Sequence, residues 1–408
     1  MYAISMLQRR PEMVGRCWRM SEEKSLVYLD NAATSWPKPP AVWEAMERAM
    51  RESAANPGRG SHAMAVKASR TLFDTRKRLA KLFRIANPND IAFTNNTTHA
   101  LNMAIQGLLR PGDHVVATTL EHNSVRRPLE ALKRKLGITV TYVKTDECGR
   151  LDLKQVASAM NERTRLVAAA HSSNLLGSIV PVADLGEIAK RGGAKLLVDA
   201  AQSAGVLPID VGGMGIDLLA FPGHKGLLGP QGTGGLYIHP DVDLEPLMHG
   251  GTGSKSEAPE QPTVRPDRYE AGTPNTVGIA GLGAGVDFVL EMTVERIHER
   301  ERQLTHSLME GLLRIPGVKI LGPALGEERT AIVSFLLGGV DPSEMAFLLD
   351  SEFGIAVRAG FHCTPLGHET AGSYETGAVR ASPGYFTTES EIVSIIEAVE
   401  RIRRTLNR

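Results

Sequence analysis

The sequence carries no net charge: 46 Lys and Arg balance 46 Asp and Glu. That balance argues against a nucleic-acid surface or an anionic-membrane surface as the partner. No apolar run is long enough to cross a bilayer. Cysteine is scarce, and Cys17, Cys148 and Cys363 show neither metal-site nor disulfide spacing. An odd count of unpaired thiols suits a reducing, cytoplasmic compartment. The usual nucleotide fingerprints are missing too. The segment GLLGPQGTGG lacks the lysine–hydroxyl ending of a Walker loop, and no GxGxxG opens a helix after the first strand. There is no internal repeat and no low-complexity segment. The first twenty residues hold Arg9, Arg10, Arg16 and Arg19 but no continuous apolar core, so they make a poor secretory signal. Residues 1–25 read as a flexible leader. An amphipathic targeting peptide and a true start near Met20 are the other readings.

What is present is a chain of 408 residues with 42% hydrophobic and 23% charged side chains. That length exceeds one ordinary core, so two domains are expected. The pattern places a larger one at 26–285 and a smaller α+β one at 286–408, with the first strand and its turn free to pack on the smaller. A short strand at Leu26–Leu29 precedes DNAATSWPKPP, in which Pro37, Pro39 and Pro40 exclude helix. Helices follow at Ala41–Arg51 and Val66–Phe83. From Ile91, strands alternate with helices: strands at 91–94, 114–117, 139–143, 166–170, 196–198, 218–221 and 235–238. Several are apolar throughout, which suits a mostly parallel seven-stranded sheet covered on both faces. One long helix is expected from Val277 to Ile315. Beyond it come strands at 331–336, 355–358 and 378–381 and helices at 342–353 and 389–406.

The stretch that organises the chain is LLAFPGHKGLLGPQGTGG, Leu218 to Gly235. It puts His224 and Lys225 between two buried strands. Burial lowers the pKa of an ammonium, and a free amine near neutral pH can attack a carbonyl to form a Schiff base. A surface lysine in a glycine-rich hairpin would give the same local pattern. In parallel sheets, ligands sit beyond the C-terminal strand ends, and polar residues gather there. Asn95, Asn96, Thr97 and Thr98 end one strand. Glu121, His122 and Asn123 end the next, and His171 to Asn174 a third. Asp199 with Gln202 and His224 with Lys225 end two more. Thr97 and Thr98 open a helix, where free amides and the dipole suit a phosphate, or simply cap the helix. Asp199 closes the apolar strand KLLVD, where a carboxylate can pair with a protonated ring nitrogen or cap the next helix. His122 can stack on a planar ring or shuttle a proton, or be a satisfied loop histidine. Arg380, in GAVRAS, can grip a carboxylate with two N–H groups, or be an ordinary surface arginine. A phosphate site, a ring-nitrogen acid, an imidazole and an amine nucleophile together describe one cofactor, pyridoxal 5′-phosphate.

From Val27 onward the chain resembles the class V aminotransferase-like, fold-type I pyridoxal-phosphate enzymes, and within them the cysteine desulfurase / selenocysteine lyase family. Ten blocks in family order carry the resemblance: YLDNAATS, NPGRGSH, TNNTTHALN, LEHNS, HSSNLLGSIVPV, VDAAQSAG, FPGHKGLLGPQGTGGLYI, YEAGTPNT, VRAGFHCTPLGH and GAVRAS. The resemblance implies that Lys225 carries the cofactor, that Asp199 pairs with the pyridine nitrogen and that Gln202 donates to the ring hydroxyl. His122 would stack on the ring, and Thr97, Thr98 and His224 would contact the phosphate. Thr276, in GTPNT, would reach the phosphate of a second subunit, implying a homodimer with shared sites. Asn174 and Arg380 would hold the substrate carboxylate, with Ala33, Arg358 and His362 on the substrate side. Cys363 would be the nucleophile that becomes persulfidated, its thiol activated by Arg358 and His362. The short loop from Cys363 to Arg380 resembles the group often helped by a separate sulfur-acceptor protein. In one place the chain departs from the family: Pro222 stands where a serine or threonine is usual, which removes one phosphate contact.

The activity implied is conversion of L-cysteine to L-alanine with a persulfide left on Cys363. Selenocysteine cleavage and C–S β-elimination are the alternatives on the same cofactor. Transamination and a non-catalytic protein on this fold stand further off, the last opposed by the presence together of Lys225, Asp199, His122 and Arg380.

Overall fold

The computed structural model describes residues 26–405 apart from 59 and 256. The leader expected at 1–25, and Cys17 with it, lies outside the described residues. The elements of the first half are β1 (Val27–Tyr28), α1 (Pro40–Glu52), α2 (Ala63–Leu82), β2 (Ile91–Thr94), α3 (Thr97–Leu108), β3 (His114–Thr118), α4 (Asn123–Leu136), β4 (Thr139–Val143), α5 (Leu153–Ala159), β5 (Thr164–Ala170), α6 (Val182–Arg191), β6 (Lys195–Asp199), β7 (Leu218–Pro222) and β8 (Gly234–Ile238). The remainder holds α7 (Thr276–Met292), α8 (Val294–Leu313), β9 (Val318–Leu321), β10 (Val333–Leu337), α9 (Pro342–Phe353), β11 (Ile355–Ala356), β12 (Arg358–Gly360), α10 (Pro365–Thr370), β13 (Ala378–Ala381) and α11 (Glu389–Thr405).

Seven strands form the main sheet in the order β2-β8-β7-β6-β5-β3-β4. All run parallel except β8, which is antiparallel to both β2 and β7. The sheet is the mostly parallel one expected. Its strands are apolar throughout because each face has its own core. Val116, Val167, Val198 and Leu219 point into one. Val115, Leu166, Leu197 and Leu218, one residue earlier, point into the other. The side-chain period of two divides each run between two helix-covered layers. Each fully buried Leu or Val adds about 1.5–3 kcal/mol of transfer free energy.

The second sheet has the order β12-β13-β10-β9 and is antiparallel. It shares a third core with α8, α9 and α11, through Leu304, Leu308, Phe335, Leu349 and Ile395. Val27 and Leu29 belong to that core as well, and β1 pairs parallel with β11. The N-terminal strand therefore packs on the C-terminal part of the chain, and the turn after it hangs over the main sheet.

Four local expectations are corrected. The single helix over 277–315 is two, α7 and α8, which meet at a bend of 82°. The cause is Thr293, at φ 64°, which leaves the helical region and caps α8 with its side chain. The strand expected at 355–358 splits at Val357: β11 serves β1, and β12 serves β13. Pro40 opens α1 rather than excluding helix, because a first-turn proline needs no N–H and its φ is already helical. Strand β9 and helix α10 are short additions that periodicity did not reveal. No single helix among the described residues is long and apolar enough to cross a membrane.

Candidate active site

Strands β2, β3, β5, β6 and β7 run the same way, so their C-terminal ends share one edge of the sheet. The polar rim expected there forms one cleft of about 110 Å³. Thr97, Thr98, His122, Asn174, Asp199, Gln202, His224 and Lys225 all line it. Local chemistry places each. Asn96 caps α3 by accepting from His99 N at 2.9 Å, so the first-turn amides of Thr97 and Thr98 have no intrahelical acceptor. His122 caps α4, its Nδ1 accepting from Ser124 N at 3.1 Å. Asp199 ends β6 and accepts from Ala201 N at 2.9 Å.

The turn after β1 braces this edge. Gln202 Nε2 donates to Ala32 O at 3.0 Å. Thr34 Oγ1 donates to His224 O at 3.1 Å, and Lys38 Nζ donates to the same carbonyl at 2.7 Å. Ser35 Oγ donates to Lys225 O at 2.9 Å. The loop that carries the lysine is thus clipped at two consecutive carbonyls by residues about 190 positions earlier in the chain.

The electrostatics follow from burial. Desolvation first, with the charge of Arg380 adding to it and Asp199 partly opposing, brings Lys225 down to about 8. Desolvation, with Lys225 and Arg358 adding to it, takes His122 down to about 4. His224 falls to about 4 for the same first reason, with Lys225 and Lys38 contributing. Both imidazoles are therefore neutral across the physiological range. Burial raises the pKa of Asp199, and the Ala201 amide and Lys225 pull it back. One oxygen of Asp199 is spoken for by Ala201, which leaves the other for a protonated partner.

Six expected site residues do not line the cleft. Ala33 lies in the turn after β1, with its amide bonded to Asp30 O. Thr276 opens α7 behind its Asn275 cap. Arg380 is 1% exposed on β13. It donates from Nη1 to Asn174 O and from Nη2 to Asp30 Oδ1, both at 2.9 Å, and its Nε is buried without a partner. Arg358 stands directly across from it on β12. Cys363 is half-buried in a turn where both His362 and Cys363 are left-handed, at φ 47° and 58°. The Cys363 carbonyl accepts from Asn123 N at 2.8 Å, next to His122. Asn174 Nδ2 donates to His362 O at 2.6 Å. The cysteine turn is thus pinned to two rim residues of the cleft.

The ring of His362 is turned inward, with Nε2 at 3.0 Å from Ala378 O. Burial and Arg380 push it down to about 3. A neutral imidazole cannot supply the positive charge expected of His362 beside Cys363.

Sequence reasoning did not single out Ser124, Asp30 or Lys38. Ser124 Oγ lies 2.7 Å from Thr98 Oγ1 and 2.9 Å from His122 Nδ1, joining two expected residues into one cluster. A serine two positions past a helix-capping histidine was its only trace. Asp30 could not be found locally, because its partner Arg380 is 350 residues away.

The donor set fits a phosphorylated aromatic aldehyde. Two hydroxyls with free first-turn amides, a buried carboxylate and a desolvated amine line the same cleft. Residues 27–395 match the class-V aminotransferase family. A probable cysteine desulfurase of Methanothermobacter thermautotrophicus is 40% identical over 92% of this chain and 94% of its own. The cysteine desulfurase of Haloferax volcanii is 33% identical over 93% and 89%. Among solved structures, the apo cysteine desulfurase of Thermococcus onnurineus superposes with a TM-score of 0.87 at 36% identity, over 92% of this chain and 94% of that one. Cysteine desulfurase CsdA of Escherichia coli gives 0.84 at 29%, over 93% and 95%. The fold, the strand-end cleft and these relatives together place the chain in the class-V aminotransferase family, in its cysteine desulfurase branch.

Proposed function

We propose that the protein is a pyridoxal-phosphate-dependent cysteine desulfurase that converts L-cysteine to L-alanine and leaves the sulfur as a persulfide on Cys363. The observation that carries the reading is the pairing of a desolvated Lys225 in the cleft with a cysteine turn pinned to the cleft rim through Asn123 and Asn174. Thr97, Thr98, His224 and Ser124, which line the cleft, would hold the phosphate. Ser124 supplies the hydroxyl that Pro222 cannot. Pro222 ends β7 beyond the last β6 pairing, so its missing N–H costs the sheet no bond. Asp199 would pair with the protonated ring nitrogen, Gln202 would orient the ring, and His122 would lie against it. When bound, the cofactor stabilises negative charge at the substrate Cα.

Lys225 Nζ takes the Cα proton and returns one. Asn174, which lines the cleft, and Arg380, bonded to its carbonyl, would hold the substrate carboxylate. The Cys363 thiolate attacks the substrate sulfur: an S–S bond forms as the Cβ–S bond breaks, and the electron pair stays on Cβ. A proton delivered to that carbon completes the methyl group of alanine. His122, neutral above about pH 4, is the proton carrier for the substrate thiol. A reductant or a sulfur-acceptor protein then collects the sulfur. Thr276 completes the phosphate site of a second subunit in a homodimer, and the chain divides into a cofactor part at 26–285 and a cysteine-bearing part at 286–408.

The test uses purified holoprotein with L-cysteine and a reductant, wild type beside Cys363→Ser. The expected outcome is an absorption band from the bound cofactor in both, and equal sulfide and alanine from wild type only. Sulfide with pyruvate, or turnover that survives the substitution, would sink the reading in favour of a C–S lyase.

A further inference from the structure

The segment from Asn174 to Gly177 offers four consecutive backbone carbonyls, and each is taken by a different group from the last third of the chain. Arg380 Nη1 donates to Asn174 O at 2.9 Å. Ser334 Oγ donates to Leu175 O. Arg329 Nη2 donates to Leu176 O at 2.9 Å, and Thr330 N donates to Gly177 O at 2.9 Å. Buried carbonyls are almost always paired; what distinguishes this segment is that all four partners come from residues 329–380, so one distant part of the chain holds it.

Arg329 is the unusual member. It is 4% exposed, and among the described residues no carboxylate pairs with it. Its fork instead meets carbonyl oxygens: Pro323 O at 2.8 Å, Ile332 O at 2.5 Å, and Leu176 O. A cation buried among dipoles alone is costly to keep, and burial lowers its pKa to about 10. Two left-handed glycines clear space around it. A Cβ on Gly322 would stand 2.3 Å from Leu176 O, and one on Gly177 3.0 Å from Ile332 O and 3.3 Å from Arg329 Nε. The segment that Arg329 holds is the one whose Asn174 side chain grips the cysteine turn, donating to His362 O and accepting from Thr364 Oγ1. Arg329 itself touches neither the cleft nor Cys363.

We propose that Arg329 is a positioning residue: it locks the 174–177 segment and, through Asn174, sets the Cys363 turn against the cleft. The lock rests on the geometry alone, and its role in sulfur transfer rests on the desulfurase reading. Arg329→Lys keeps the charge but loses the planar fork that reaches several carbonyls at once. In the holoprotein, amide hydrogen exchange at 174–177 and 362–364 should quicken at least tenfold while exchange in α3 and the cofactor absorption band stay unchanged. The KM for L-cysteine should rise at least fivefold, and single-turnover persulfide formation on Cys363 should slow about tenfold. Unchanged exchange in the two segments, or a rise shared equally by α3, would overturn the lock. Should Arg329→Lys not fold, Ser334→Ala removes only the adjacent grip: a threefold rise in exchange at the same segments supports the proposal, and none overturns it. Faster exchange with a wild type that makes no alanine would uphold the lock and overturn the reaction assigned to it.

Discussion

The lysine cleft and the cysteine turn lie side by side but are built in opposite ways. Every group on the cleft rim sits at the end of a strand or within six residues past it, and the strand fixes where it points. The cysteine turn has no such base. It is four residues, 361–364, between β12 and α10, two of them left-handed, held by Asn123, by Asn174 and by the inward His362 ring, with the Arg380–Asp30 pair nearby. One region inherits its geometry from local order. Apart from the His362–Ala378 bond, the other depends on contacts that span 188 to 350 residues of chain, so single substitutions should affect the two differently.

The sharpest break is chemical. Lys225→Ala should abolish both the cofactor band and turnover, whereas Cys363→Ser should leave the band intact and lower desulfuration by about 10³-fold or more. Loss of the band in Cys363→Ser would mean that the two regions are not separable. Arg380→Met comes next. It strands Asp30 beside a buried apolar side chain and should cost about 3–5 kcal/mol of unfolding free energy in a urea titration. Asp30→Asn, which keeps a hydrogen-bond acceptor, should cost less. Equal losses would show that charge alone matters there.

A pH series separates the buried imidazoles. The pKa values of His122, His171 and His224 are lowered to about 4 by burial, while the unfolded chain takes up those protons near 6.5. Their stabilising effect is complete above pH 6.5, falls as the pH drops through that window and is gone below about 4. His171, 5% exposed, gives the cleanest case. His171→Asn should flatten the acid slope of the urea midpoint by an amount on the order of 2 kcal/mol between those limits. An unaltered slope would refute the assignment. The mildest test concerns the phosphate end: Ser124→Ala should weaken cofactor binding about tenfold in equilibrium dialysis, the worth of one charge-assisted hydrogen bond. No change would return the missing contact to Pro222.

The seven apolar runs, the helices between them and the polar residues just past them were legible because period and position are local properties, and a parallel sheet turns them into one edge. Lys225, Asp199, His122 and Thr98 were found on that ground and do share a cleft. The break of the 277–315 helix at Thr293 was not legible, because a threonine in a good helical pattern gives no warning of a left-handed φ. Nor was the inward turn of His362, which depends on the Ala378 carbonyl across a strand pair. Asp30, Ser124 and Arg329 look ordinary in sequence, since their partners are distant or their environment is made by other segments. The sequence by itself determined the alternating layers, the strand-end rim and the residue types that a pyridoxal-phosphate site requires. Tertiary structure alone decided which carbonyls Arg329 holds, which oxygen faces Arg380 and where Cys363 stands. Periodicity encodes only which face of an element is buried; a turn without periodicity is placed by whatever packs against it.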